Sequence, residues 1–505
     1  MKWIAIAFVT LTLAAQPQLK RSGTATQLLV DGKPFLILGG ELHNSSASSL
    51  EYMRTVMPRL NGWGMNTVLA TVSWELLERE EGRFDYALVD GPLREARARN
   101  LRLVLLWFGS WKNGVSTYAP LWVKADVERF PRARDRQGKP FDVITPVSDA
   151  ARDADARAFA ALMRHLKEAD GAQQTVLMVQ VENEVGLLGD SRDRSPQAEA
   201  VWGRAVPKEL LAALKRSAGT WPEVFGNTPE GDETFMAWHY ARYIDRVTEA
   251  GKREYPLPMY VNAWLVQYPG EPPGRYPSGG PVAKVMDIWK AAAPHIDLMA
   301  PDIYLPDFRA VCAEFARAGN ALFIPEARPD RRAGARAFYA FGRHDAIGFS
   351  PFGIDGGRAD LNSLGEAYRM LSDLAPLIAE QQGKGTMTAF LQQEREDKAT
   401  AELGGYRWNV NYPEVKEGDT PQGYALVIGT GKDEFVVAGA AVTIRFASAA
   451  EGQTARIGSI DEGRYIEGKW SPMRRLNGDE NGGGEWLRLP PGMPTMVRLR
   501  LYRVR

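Results

Sequence analysis

Between residues 29 and 355, short runs that are apolar throughout alternate with longer stretches whose apolar residues recur at a helical spacing. Eight of the runs read as strands: Phe35–Glu41, Asn66–Trp74, Leu101–Phe108, Thr175–Glu184, Pro258–Leu265, Leu298–Tyr304, Ala321–Glu326 and Gly348–Ile354. Strands that do not alternate apolar with polar are covered on both faces, as in a parallel sheet wrapped by helices. The stretches between them, such as Ser49–Gly62, Ala87–Asn100, Asp153–Ala169, Thr234–Gly251 and Asp307–Gly319, read as helices, several closed by Gly or Asn where a C-terminus favours a left-handed residue. Eight such alternations predict a closed α/β architecture, a (β/α)8 TIM barrel over residues 25–375. After the helical stretch Ser363–Gln382, the pattern changes to β-branched and aromatic runs at Tyr424–Ile428, Glu434–Val437, Ala441–Phe446 and Met496–Tyr502, parted by Gly-rich turns. This predicts a C-terminal β-sandwich-like domain over 384–505.

Composition agrees with two domains: 505 residues at 45% hydrophobic content exceed one ordinary core. The 62 basic and 62 acidic residues cancel and form no long basic run, which speaks against nucleic acid or an anionic membrane as partner and for a neutral ligand. Fourteen Trp and 17 Tyr supply flat faces on which sugars can stack, although most aromatics serve the core. At the N-terminus, Met1-Lys2 and an uncharged apolar run from Trp3 to Ala15 read as a signal peptide over residues 1–18, too short to span a bilayer. Export to the periplasm or the medium is therefore expected; the competing reading is a buried first element. Cys312 alone can form neither an intrachain disulfide nor a cysteine metal cluster, and the five histidines lack metalloprotease spacing. No metal or cofactor is expected. Gly429-Thr-Gly-Lys432 lacks the upstream Gly and the following Ser/Thr of a phosphate loop.

Chemistry enters where the strand pattern is broken by acid. Glu184 closes the fourth run and Glu326 the seventh, and a carboxylate at the end of a buried strand loses hydration that packing alone does not repay. Both would face the C-terminal mouth of the barrel, where such folds place their active sites. Paired carboxyls there suit glycoside hydrolysis, with Glu184 beginning protonated and Glu326 ionised. Asn183 is placed to bond a sugar 2-hydroxyl, and Tyr304, ending the sixth run, to donate to Glu326. Glu182 ranks below Glu184, as a deeper structural carboxylate. Glu41 and His43 end the first run, and one of them reaches a sugar hydroxyl on this reading; His43 reads equally as a satisfied core histidine. Trp264 offers a stacking platform or core packing. The Pro/Gly-rich stretch Tyr268–Gly280 is expected to wall or cover the site.

Four segments together resemble a known family: Leu38-Gly-Gly-Glu-Leu-His43; Val72-Ser-Trp-Glu75 followed by Glu81-Gly-Arg-Phe-Asp-Tyr86; Val179-Gln-Val-Glu-Asn-Glu-Val-Gly186; and Phe323-Ile-Pro-Glu326. They look like successive blocks of glycoside hydrolase family 35, the β-galactosidases, over roughly residues 29–355, and the C-terminal β domain is similar to the accessory domain of a bacterial branch. The resemblance implies Glu184 as acid/base, Glu326 as nucleophile and removal of terminal β-galactosyl residues from oligosaccharides or polysaccharide side chains. The chain departs from the family at sugar-contacting positions, with Trp74-Glu75 in place of Trp-Asn and Trp111-Lys-Asn113 in place of a Cys/Asn-Ala-Glu run. Trp74, Trp111 and Asn113 are expected to recognise sugar at those positions. The expectation is a retaining exo-glycosidase acting on carbohydrate. Competing readings are a different terminal sugar, as in a β-arabinosidase or β-glucosidase, and a non-catalytic carbohydrate-binding barrel, which would have lost one of the two carboxylates.

Overall fold

In the computed structural model, residues 16–505 are described except 318, 357–360 and 421; the expected leader lies, up to residue 15, outside the described residues. Eight parallel strands form the barrel: β1 (Ile37–Glu41), β2 (Thr67–Ser73), β3 (Arg102–Lys112), β4 (Val176–Asn183), β5 (Met259–Trp264), β6 (Leu298–Ile303), β7 in two halves (Phe323–Ile324 and Glu326–Ala327) and β8 (Gly348–Phe349). Each strand is followed by one main helix: α1 (Leu50–Leu60), α2 (Ala87–Arg97), α3 (Asp149–Asp170), α4 (Pro229–Glu254), α5 (Met286–Ala292), α6 (Phe308–Phe315), α7 (Ala333–His344) and α8 (Leu361–Gln381). Local signals fix the ends of several. Thr228 caps α4, Pro229 takes its first turn, where a missing N–H costs nothing, and Glu230 and Asp232 oppose the positive helix end.

The ring closes through β7. Its first half pairs with β8, which pairs with β1, while its second half pairs with β6 at Asp302↔Glu326 and Ile303↔Ala327. Pro325, which has no N–H to give a ladder, sits at the break and turns the strand from one neighbour to the other. Glu326 thereby begins a fresh two-residue segment at the mouth. Inside the ring, Ile37, Leu69, Val104, Leu106, Leu177, Tyr260, Leu298, Ala300 and Phe323 fill the barrel, joined by Leu28 and Val30 from an antiparallel three-stranded sheet that precedes it (Gln18–Ser22, Ala25–Val30, Lys33–Pro34). Side chains two residues apart share a strand face, so Asn262 on β5 is in phase with the inward Tyr260, and Asp302 on β6 with Leu298 and Ala300.

The C-terminal part is a sandwich of two antiparallel sheets built from β9 (Met387–Leu391), β10 (Lys398–Leu403), β11 (Tyr406–Asn411), β12 (Tyr424–Gly431), β13 (Glu434–Ala440), β14 (Val442–Ser448), β15 (Thr454–Ile466), β16 (Lys469–Leu476), β17 (Leu487–Leu489) and β18 (Thr495–Val504). Six strands run β9-β12-β13-β18-β15-β16 and four run β10-β11-β14-β17. Trp408, Tyr406, Val410 and Ile444 of the smaller sheet meet Phe435, Val437, Val497 and Leu499 of the larger. The larger sheet is apolar on its other face as well: Ala389, Leu426, Val436 and Ala438 join the core formed by the barrel's helices, and Gly342 of α7 sits against Leu426. Among the described residues, no helix is long and apolar enough to cross a membrane.

Candidate active site

Glu184 follows directly on β4 and Glu326 opens the second half of β7, and both side chains turn into the mouth. One carboxyl oxygen from each, together with one from Asp302 on β6, lie within 4.8 Å of one another. All three are almost completely buried, Glu184 at 6% and Glu326 at 5% exposure. Glu184 is held from several sides. Its backbone N–H donates to Asn262 Oδ1 at 3.0 Å, its carboxylate accepts from Asn113 Nδ2, and the Asp302 carboxyl hydrogen-bonds it; Asn262 Nδ2 in turn donates to Asp302 at 2.7 Å. Tyr304 donates its hydroxyl to Glu326 Oε2 at 2.8 Å.

The electrostatics separate the roles. Burial, then the negative Glu326, push the Glu184 pKa up to about 7, against the opposing pull of Lys112 and of the Asp302 hydrogen bond. Burial and the neighbouring carboxylates also raise Asp302 and Glu41 well above the ordinary carboxylate range. Burial and Glu326 raise the Tyr304 hydroxyl, which keeps it a hydrogen-bond donor. Glu41 ends β1, and both its oxygens lack a protein partner, as do Glu326 Oε1, Asp302 Oδ1 and Asn183 Nδ2. Buried polar atoms are normally paired, so this set is laid out for the hydroxyls of a ligand or for water. Three carboxyls this close could also bridge a cation; protons held on Asp302, Glu41 and Glu184 relieve the same repulsion without one.

Lys112 and Asn113 reach the site through a two-residue turn. Lys112 and Val115 exchange backbone hydrogen bonds at 2.8 and 3.1 Å around Asn113 (φ 52°) and Gly114 (φ 69°), the positive-φ pair that a type I′ turn demands and that Asn-Gly supplies. Lys112 Nζ donates to Asn183 Oδ1 at 2.9 Å, leaving the Asn183 amide N–H groups for a ligand. Behind the turn, Glu182 accepts the N–H groups of Ser110 at 3.1 Å and Trp111 at 2.7 Å and hydrogen-bonds Asp155 of α3, both carboxyls being raised by burial. Glu182 thus anchors the irregular end of β3 from outside the ring. Glu182 and Glu184 both have positive φ, 63° and 43°, a strained backbone that turns the two acids in different directions.

The other expected residues divide. Glu41, Asn183, Asn113 and Tyr304 stand with the two glutamates. Trp264, partly exposed at the end of β5 and in register with Asp302, stands at the same mouth. His43 is half exposed and tied through Nδ1 to Asp355 at 2.7 Å, beyond β8. Trp74 and Trp111 are not at the surface of the site: each is fully buried in the helix layer, with the indole N–H given to Glu78 at 2.7 Å and to the Ile144 carbonyl at 3.0 Å. An indole hidden in this way cannot stack on a sugar. Residues 268–280 are laced to the segment after Glu184, Ser278 with Leu187 and Gly274 with Gly189, and so wall the β4–β5 side. Sequence reasoning missed Asp302 and Asn262; Lys112, expected with Trp111 and Asn113 to contact sugar, instead bonds Asn183 and lends its charge to Glu184. The rule that found Glu184 applies equally to Asp302, an acid within the apolar run Leu298–Ile303.

Comparison with known proteins gives three further findings. A family model described as a domain of unknown function (DUF5597) matches residues 364–488, from within α8 to within β17 of the sandwich. The chain is similar to a beta-galactosidase of Xanthomonas manihotis, with 28% identity over 218 residues, 41% of this chain and 34% of that protein, so it spans about a third of the relative's length. Among solved structures it resembles the beta-galactosidase from Bacillus circulans sp. alkalophilus (TM-score 0.49, 15% identity, 68% of this chain and 57% of the other) and the catalytic domain of a beta-amylase from Paenibacillus polymyxa (TM-score 0.48, 10% identity, 66% of this chain and 97% of the other).

Proposed function

We propose that this chain is a retaining exo-glycosidase of family 35 that removes terminal β-D-galactosyl residues from oligosaccharides or polysaccharide side chains, acting in the periplasm or outside the cell. The observation that carries the reading is the convergence of Glu184 and Glu326, with oxygens within 4.8 Å and Glu184 pushed up to about 7. Retaining glycosidases keep their two carboxyls ~5–5.5 Å apart, whereas inverting ones need ~6.5–9.5 Å to admit a water. In the first step Glu326, positioned by Tyr304, attacks the anomeric carbon while the Glu184 proton passes to the departing oxygen. In the second, Glu184, now ionised, takes a proton from water as that water attacks the same carbon and releases Glu326. The Asn183 amide meets the 2-hydroxyl, a contact that strengthens as the ring flattens towards an oxocarbenium ion.

Galactose as the terminal sugar is supported by the similarity to the Xanthomonas manihotis beta-galactosidase. Lys112 and Asn113, standing where the family's usual galactose contacts would be, favour keeping a β-arabinosidase or β-glucosidase as the second reading. A panel of aryl β-glycosides decides between them: the galactoside should give the highest kcat/KM, and a tenfold preference for another sugar would replace this reading. For the nucleophile, Glu326→Gly should abolish turnover and added azide should restore it as a β-glycosyl azide. Turnover surviving that substitution would remove Glu326 from the mechanism.

A further inference from the structure

A third carboxyl at the catalytic centre has no part in the two-step displacement. Asp302 is 3% exposed and stands opposite Glu326 across the β6–β7 ladder, and one of its oxygens lies within 4.8 Å of one from Glu184 and one from Glu326. Facing it are Glu184 from β4, Glu326 from β7, Glu41 from β1, Tyr260 from β5 and Tyr304 from the end of β6. Lys112, ending β3, sets its positive charge on Glu184 and Glu41. A further full negative charge here would be buried among like charges, the arrangement that drives one member of a carboxyl pair to keep its proton.

The hydrogen bonds fix where that proton sits. Asn262 Oδ1 takes the Glu184 N–H at 3.0 Å, which orients the amide so that Nδ2 donates to Asp302 Oδ2 at 2.7 Å. Oδ2 is therefore an acceptor, and Oδ1, which receives no N–H or O–H donor, is the oxygen left to carry a proton. The hydrogen bond between Asp302 and Glu184 needs one, since two ionised carboxyls offer acceptors and no donor. We infer that Asp302 is a positioning residue that stays a neutral acid through the reaction and donates its Oδ1 proton to Glu184 in a hydrogen bond. Burial, then Glu326 and Glu184, push Asp302 well above the ordinary carboxylate range, as a donor of this kind requires. The role rests on the glycosidase reading and adds to it a group that the two-carboxylate scheme lacks. The Asp302 proton is not spent: the Glu184 proton goes to the leaving oxygen and is returned by water, and between the two steps Asp302 holds the ionised Glu184 in place.

The sign of a pH shift tests this. A neutral donor stabilises ionised Glu184, so its loss in Asp302→Leu should move the alkaline limb of kcat/KM up by about one unit. The value at the optimum should fall roughly 10- to 150-fold. In Asp302→Asn the amide can still accept from Asn262 through Oδ1 and donate to Glu184 through Nδ2. This variant should be several-fold more active than Asp302→Leu, with its alkaline limb no lower than that of the wild type. An ionised Asp302 would repel the Glu184 charge, and either substitution would then move the limb down. A downward move, or Asp302→Asn no more active than Asp302→Leu, overturns the role. Carboxyl-selective 13C NMR separates this failure from that of the parent reading. If the wild type hydrolyses no glycoside, the glycosidase reading falls, yet the signal absent from Asp302→Asn should still show no titration at about pH 3–5, where an ordinary aspartate titrates. Titration there refutes the neutral acid, and the same measurement decides if Asp302→Leu does not fold.

Discussion

Glu184 is pulled in two directions, up by burial and by Glu326, down by Lys112 and the hydrogen bond from Asp302. The balance decides whether it carries a proton at neutral pH, and it makes two predictions. First, kcat/KM should fall on the alkaline side with an apparent pKa near 7, because the ionised form has no proton to give; a profile flat to pH 9 would contradict this. Second, Glu326→Gln removes the repelling charge, so Glu184 should titrate lower in that variant, read by carboxyl-selective 13C NMR. An unchanged or higher value would mean that the two groups do not sense each other. The same shift has a cost in stability. Because the folded pKa lies above the ordinary 4.5, the folded protein holds this proton more tightly than the unfolded chain, and the resulting stabilisation, complete below pH 4.5, is lost as pH rises through about 7. For Tyr304, whose hydroxyl orients Glu326, Tyr304→Phe removes a bond to a charged group worth ~1.5–3 kcal/mol, roughly a 10- to 150-fold loss in kcat/KM. The acids were legible because each interrupts an apolar run. Trp74 and Trp111 were misread for a complementary reason: a tryptophan at a strand end is equally at home under a helix, and only the three-dimensional course of β3 shows that its bulged end turns the Trp111 indole outwards against Tyr240 and Tyr243.

At the scale of elements, the Lys112–Val115 turn matters most, since it delivers both the cation and the amide that act on Glu184. A Cβ at Gly114 would lie 2.9 Å from the Gly186 carbonyl oxygen while the backbone is at φ 69°. Gly114→Val should therefore shift Asn113 and cut kcat/KM by at least tenfold, with a smaller change in the midpoint of thermal unfolding than a core truncation such as Trp408→Ala; wild-type kcat/KM in Gly114→Val would show that the turn is not what places Asn113. The eight strands were legible as apolar runs because both their faces are buried. The break at Pro325 was not anticipated, although proline within a central strand signals it. In the sandwich, β10 and β15 escaped notice because one face is solvated and their alternating apolar and polar residues dilute the hydrophobic signal. The segments Arg132–Arg134 and Pro140–Ile144, which pair as a short hairpin after β3, are too brief to show a period, the first carrying two arginines and the second opening on a proline.

For the molecule as a whole, the sandwich is not a loosely tethered addition. Its larger sheet lays an apolar face on the barrel's own helices, α7 among them. A chain ending at residue 383 would uncover the face of α7 on which Phe338 packs against Tyr424 and Gly342 lies against Leu426 and Ala389, and should be insoluble or unfold well below the full-length protein; a soluble fragment with an unchanged midpoint would show that the two parts fold independently. The division into barrel and sandwich was legible from the change in periodicity near residue 383, but which sheet faces the barrel was not, because β12 and β13 are apolar on both faces. The account as a whole depends on Glu184 and Glu326 acting on one anomeric carbon, and the most direct measurement is covalent trapping. Incubation with 2-deoxy-2-fluoro-β-galactosyl fluoride followed by peptide mass spectrometry should find a single galactosyl label on the peptide carrying Glu326, and none in Glu326→Gly. A label on any other carboxylate, or turnover that releases the opposite anomer without a trapped intermediate, would contradict it.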